Sequence, residues 1–170
     1  MKPPAPILPP DSHYLSAAYG WLDLGNPGEA RAELDGIRPE FQNHGAVLGL
    51  RWAICAELQD WPGALLAARC LAEVAPELAG TWLNLAYALR RVPEGGLAAA
   101  QEVLRPAFER FPAEAIIPYN LACYACQAGQ LDEARRWLDH AFQRGKPDPI
   151  KRMALADPDL RPLWEELKKR

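Results

Sequence analysis

No run of about 18 uninterrupted apolar residues occurs anywhere in this 170-residue chain, so the sequence offers no membrane-spanning helix. An excess of positive charge is missing too. Nineteen Lys and Arg stand against 22 Asp and Glu, a formal charge of −3, which argues against a protein built mainly to neutralise nucleic-acid phosphates. The short run Lys168-Lys169-Arg170 follows Glu165 and Glu166 and reads as cations at a helix C-terminus. The opening MKPPAPILPP holds five prolines and no apolar stretch able to serve as a signal-peptide h-region, so the expected location is cytoplasmic. Strand-like alternation is absent, which points to an all-α class. Nucleophile elbow, P-loop, glycine-rich dinucleotide turn and paired-histidine motif are likewise absent. The expectation is therefore a protein that is not an enzyme and that uses no cofactor and no metal.

What the sequence does have is proline, 17 in all, and a recurrent alanine. Ala30, Ala64, Ala100 and Ala134 lie 34, 36 and 34 residues apart, each after a short turn and at the start of an apolar-periodic segment. A period near 34 marks stacked helix–turn–helix units, none of which can bury its apolar face alone. Aligned on the alanines, the units run over about 11–44, 45–78, 79–114 and 115–148. Tyr14, Leu48, Trp82 and Pro118 then open the first helices, and Ala18, Trp52, Ala86 and Ala122 fall one turn further on. Leu34, Ala68, Leu104 and Leu138, with Ile37, Leu71, Ala107 and Ala141, mark the buried stripe of the second helices. Pro27, Pro62 and Pro93 punctuate the turns, and Pro39, Pro76 and Pro112 fall near unit ends.

These motifs resemble tetratricopeptide repeats. The fourth unit carries Asn120-Leu121-Ala122, Gly129 at the turn, and Asp132-Glu133-Ala134 followed by Leu138 and Ala141. The third offers Trp82, Asn84-Leu85-Ala86, Ala100, Ala107 and the closing Pro112. Departures are local. Arg51 stands where leucine is usual, Gln42 where the closing proline is expected, and Pro39 arrives early enough to predict a short second helix in unit one. The stretch from Arg91 to Gly96 predicts a longer loop, and Pro106 a kink inside a helix. The resemblance implies a right-handed superhelix of about four helix–turn–helix repeats over 11–148, after a proline-rich N-terminal tail over 1–10. A two-helix C-terminal cap is expected over 149–170, with helices near 149–156 and 158–168 begun by Asp148-Pro149 and Asp157-Pro158.

In that family the first helices line a concave groove that commonly receives a peptide or a partner helix. Carried onto this chain, the resemblance places Tyr19, Asn84, Tyr87, Arg90, Arg91, Tyr119, Asn120 and Gln127 on the groove, beside Leu15, Leu50, Ala53, Leu83 and Cys123. Their chemistry suits the task independently. Tyrosine joins apolar area to a polar tip, asparagine pairs with both donors and acceptors of a backbone, and arginine holds carboxylates bidentately. The lysine-rich clamp by which some relatives hold a C-terminal carboxylate has no counterpart in Leu15, Tyr19 and Leu50. Asn84 and Asn120 have a second reading, as bonds across to a neighbouring helix.

Three other features carry alternatives. Cys123 and Cys126 form a CxxC, hence a thiol oxidoreductase reading, against packing of small thiols in mid-helix. Leu155, Leu160, Leu163, Trp164 and Leu167 give the C-terminal segment an apolar face, either a cap or a surface for self-association like that of an assembly or secretion chaperone. The prolines of residues 3–10 suit a solvated tail, though Ile7 and Leu8 offer a way to fold back onto the array. The leading expectation is a cytoplasmic protein–protein interaction module with a protein or peptide partner, no nucleic acid and no membrane.

Overall fold

Three of the turns between helices close on a residue in the left-handed region, and that reversal folds each helix pair back on itself. In the computed structural model, which describes residues 6–169, Gly25, Gln59 and Gly129 have φ of 75°, 56° and 77°. The next residue then bonds back five positions: Asn26 N–H to Trp21 O, Asp60 N–H to Cys55 O and Gln130 N–H to Ala125 O, at 2.8–2.9 Å. This is the Schellman closure, in which a left-handed residue lets the chain satisfy the last helical carbonyls. Glycine meets the requirement without strain; Gln59 meets it at a cost.

The helices are α1 (Asp11–Asp23), α2 (Pro27–Asp35), α3 (Gly45–Glu57), α4 (Trp61–Val74), α5 (Ala79–Leu89), α6 (Leu97–Arg110), α7 (Ile116–Gln127), α8 (Leu131–Arg144), α9 (Pro147–Ala156) and α10 (Trp164–Lys169). Two 3-10 turns, Pro39–Phe41 and Pro158–Leu163, complete the described residues, which contain no strand. No helix among them is long and apolar enough to cross a membrane. As Pro39 requires, α2 has 9 residues where α4, α6 and α8 have 14. The helix α6 continues through Pro106.

The chain divides after Val92 into two compact units, at a point inside the long 90–96 connection of the third repeat. In the first, α1 packs on α2 and α3, α2 on α3, α3 on α4 and α5, and α4 on α5. The first helices of successive repeats thus lie side by side, as the 34-residue period demands. In the second, α6 packs on α7, α7 on α8 and α8 on α9, while the Pro158–Leu163 turn lies against α7, α9 and α10.

All four marker alanines are fully buried, as are Ala18, Ala86 and Ala122. A methyl at a helix crossing lets backbones approach and larger neighbours fill the remainder. Leu34, Leu104 and Leu138 do that filling, each burial stabilising by about 1.5–3 kcal/mol. At the N-terminal end of the first unit, Ile7 packs on the Ala18–Leu34–Ile54 cluster, whereas Leu8 is largely exposed. The remaining part of the tail expectation, residues 1–5, lies outside the described residues. Asp11 is buried beneath Arg38, accepting from its backbone N–H and its Nε–H at 2.8 Å each. Those bonds hold the start of α1 against the chain entering Pro39, and they pull the Asp11 carboxyl below its ordinary range.

The C-terminal expectation needs correction in detail. Helix α9 starts at Pro147 with Lys146 as its N-cap, two residues before the expected Pro149. The helix expected near 158–168 is a 3-10 turn followed by the short α10. Pro162 lacks the N–H that would bond the Pro158 carbonyl, so an α-helical turn cannot propagate there. Asp157 does begin the segment as expected, its Oδ1 accepting from Asp159 N–H at 3.0 Å.

Candidate functional site

In the first unit α5 supplies four of the expected groove residues, or leads directly into them. Asn84 and Tyr87 lie on the helix, Arg90 caps its C-terminus, and Arg91 follows in the turn; all four are half-buried. Tyr87 is the centre of a cluster. Its ring meets Trp52 of α3 at 6.0 Å and Trp61 of α4 at 5.9 Å, edge-on in both cases. The Arg91 guanidinium lies 3.5 Å over the Tyr87 ring and 4.7 Å over Trp61, and its Nη1–H donates to Tyr87 O at 2.9 Å. Trp52 Nε1–H donates to Asn84 O at 3.1 Å, which fixes α3 against α5. Edge-to-face ring pairs and cation–π contacts each contribute about 0.5–1.5 kcal/mol beyond burial, so the four side chains hold one another in place.

Other expected positions of this unit divide. Tyr19 on α1 is exposed. Leu50, expected on the groove, is instead buried in the cluster with Ala18, Leu34 and Ile54, because α3 turns that side toward α1 and α2. Trp52 and Trp61 were missed by the sequence reading. Trp52 did carry a signal: it is the one large residue in the register otherwise filled by Ala18, Ala86 and Ala122.

The second unit corrects the expectation for α7. Tyr119 and Cys123 are buried, and the residue that covers them is the chain's own Asp157. Tyr119 O–H donates to Asp157 Oδ2 at 2.8 Å, Cys123 Sγ lies 3.4 Å from the same oxygen, and Gln127 Nε2–H donates to Asp159 Oδ1. Leu160, Leu163 and Leu167 are buried beside them. Tyr119 and Gln127 therefore bind the C-terminal segment rather than face an open groove. Burial first, then Cys123 and the Asp157 acceptor, push ionisation of Tyr119 well above its ordinary value. Asn120 stays half-buried, its amide turned back to Ile116 O at 2.9 Å, so it bonds within its own helix rather than across to another.

The thiol of Cys123 and the carboxylates of Asp157 and Asp159 join α7 to the C-terminal segment. Cys123, Asp157 and Asp159 bring ligand atoms within 4.8 Å of one another. Both Asp157 oxygens are already engaged by Tyr119 and by Asp159 N–H, which accounts for the grouping as the anchor of the C-terminal segment. Burial pushes the Cys126 and Cys55 thiols up, opposite to the lowering that thiolate chemistry requires.

No family model and no curated protein sequence matches this chain. Solved structures do match its fold. A crystal structure of MamA superimposes with a TM-score of 0.70 at 14% identity, covering 79% of this chain and 78% of that one. A double mutant of MamA RS-1 gives 0.70 at 16% identity, with 87% and 79% covered. TTC0263, a thermophilic TPR protein of Thermus thermophilus, gives 0.66 at 18% identity, with 94% of this chain and all of that one covered. At such identities the likeness speaks to architecture alone, and it agrees with the repeat register. The chain has a tetratricopeptide-like, all-helical repeat fold.

Proposed function

We propose that the chain is a non-catalytic protein-interaction module whose first unit binds a peptide or partner helix across α1, α3 and α5. One observation carries this reading: the Tyr87–Arg91–Trp52–Trp61 cluster is half-buried, rigidly braced and made of the residue types that dominate binding energy at interfaces. Side chains already held in place lose little entropy when a partner arrives. Asn84 and Arg90 flank the cluster with polar groups, and Tyr19 extends the surface along α1. The second unit supports the choice of ligand chemistry. There α7 accepts an acidic, leucine-bearing segment through a tyrosine, a thiol and an amide, which is how such a helix face receives a peptide. Tyr119 and Gln127 serve an external partner only when residues 157–163 leave α7. A cytoplasmic location suits this role and belongs to the same proposal.

Self-association through the C-terminal segment is the weaker reading. Trp164 donates its indole N–H to Ala154 O at 3.0 Å, and Leu160, Leu163 and Leu167 are buried within the chain. The test is affinity capture with the wild-type chain and with a Tyr87→Ala/Arg91→Ala variant of matched helicity. Proteins retained by the wild type are lost from the variant if the reading is right. Equal retention by both rejects it.

A further inference from the structure

Two positions at which the early repeats depart from their siblings meet in the first unit. In the internal register Arg51 answers to Leu85 and Leu121, both buried, and Gln42 answers to Pro76 and Pro112. Neither substitution is inert. The Gln42 amide donates to Leu34 O at 3.3 Å and to Ile37 O at 2.6 Å, which ties the chain after the short α2 back to its C-terminal turn. Its Oε1 accepts from Arg51 Nη2 at 2.6 Å, and Arg51 Nη1 meets Asp35 at 3.0 Å. A residue that packs as leucine elsewhere is here a guanidinium held by two partners at the edge of a cleft.

That cleft has a volume of 390 Å³ and is bounded by α2, α3 and α4. Gln42 and Arg51 line it together with a second guanidinium, that of Arg31. Arg31 Nη2 lies 3.3 Å from Asp60 Oδ2, while the other Asp60 oxygen is occupied in capping α4 through Gly63 N–H at 3.0 Å. Each of the two guanidiniums thus has one carboxylate partner, Asp35 for Arg51 and Asp60 for Arg31, and further N–H donors beyond it. Each guanidinium has five N–H donors in a planar fork, suited to a further carboxylate. The lining also includes the apolar side chains Leu48, Ala67 and Leu66, the last of these 66% exposed. The volume lies in the range of about 300–1,000 Å³ typical of small-ligand sites.

We propose that this cleft binds a carboxylate carried on an apolar stem, with the carboxylate at Arg31 and Arg51 and the stem along Leu66 and Ala67. The acidic side chain of a peptide and a free short-chain carboxylic acid share that chemistry. The site is distinct from the Tyr87 cluster and stands whether or not that cluster binds a partner.

The experiment is amide NMR on the full 15N-labelled chain, titrated to millimolar concentration with acetyl-Leu-Glu-Leu-amide and with hexanoate. The neutral controls are acetyl-Leu-Gln-Leu-amide and hexanamide. Saturable shifts at Leu66, Ala67 and Cys70 are expected from a charged probe, with affinity at least about tenfold above its neutral control. A response to the peptide alone identifies the source as a side chain; a response to hexanoate alone identifies a free acid. Arg51→Leu restores the residue that its siblings bury, and Arg51→Gln keeps a polar side chain; each is expected to weaken the charged probe about tenfold. No saturable response to either charged probe, equal response to the neutral ones, or unchanged affinity in both variants overturns the proposal.

Discussion

Replacing Asp157 by alanine removes three contacts at once: the bond to Asp159 N–H, the Tyr119 hydroxyl and the Cys123 thiol. Loss of the side-chain cap costs about 0.5–2 kcal/mol. The Tyr119 hydroxyl, on a residue only 4% exposed, is left without its acceptor, which costs about 1–3 kcal/mol. The expected destabilisation is about 2–4 kcal/mol. Tyr119→Phe alone removes the donor but leaves Asp157 half-exposed and still bonded to Asp159, so about 0.5–1.5 kcal/mol is expected. In the double variant no buried hydroxyl is stranded, and the combined cost falls short of the sum by about 1 kcal/mol or more. Urea unfolding followed by far-UV ellipticity and tryptophan fluorescence reads all four corners of this cycle. Additivity within about 0.3–0.5 kcal/mol refutes the reasoning, because groups that meet in the folded chain must couple.

Three further outcomes follow from named contacts. Gln59→Gly relieves a left-handed glutamine at the turn where Gly25 and Gly129 sit, so thermal denaturation should show a gain of up to about 1 kcal/mol after the entropy of glycine is deducted. Gly145→Ala brings a methyl to 2.9 Å from Ala115 Cβ and 2.5 Å from Ile150 Cδ1, an overpacking expected to cost about 1–3 kcal/mol in the same assay. Asp11, through Arg38, and Glu133, through Trp137 and then Arg105, titrate below their ordinary values when folded. The stability they contribute is full above about pH 5 and declines as pH falls through their folded values, so urea midpoints should drop on acidification and drop less in Asp11→Asn.

How much of this was legible in the sequence depended on how far each cause reaches along the chain. The alanine period, the brevity of α2 and the Asp157 cap are local, because steric fit at a crossing, a fixed proline φ and a two-residue hydrogen bond are all written nearby. The coverage of α7 is not local. Register tells which side Tyr119 occupies on its helix, but the segment that covers it lies 38 residues away and enters as a 3-10 turn. The Tyr87 cluster is intermediate: Tyr87 and Arg91 follow from register, whereas Trp61 reaches them only because the turn at Gln59 redirects the chain. Arg51 and Gln42 were visible as departures from the repeat, while their hydrogen bond and shared cleft required the fold.

Partner recognition is proposed to run through the α5 face of the first unit, while the corresponding face of α7 is taken by the chain's own C-terminal segment. Site-specific photo-crosslinking tests this central claim directly, with a benzophenone side chain in place of Leu83 or of Gln127 and the partner retained by the wild-type chain. Adducts from position 83 and none from position 127, which the C-terminal segment holds through Asp159, are predicted. Adducts from position 127 with none from position 83 would contradict the claim.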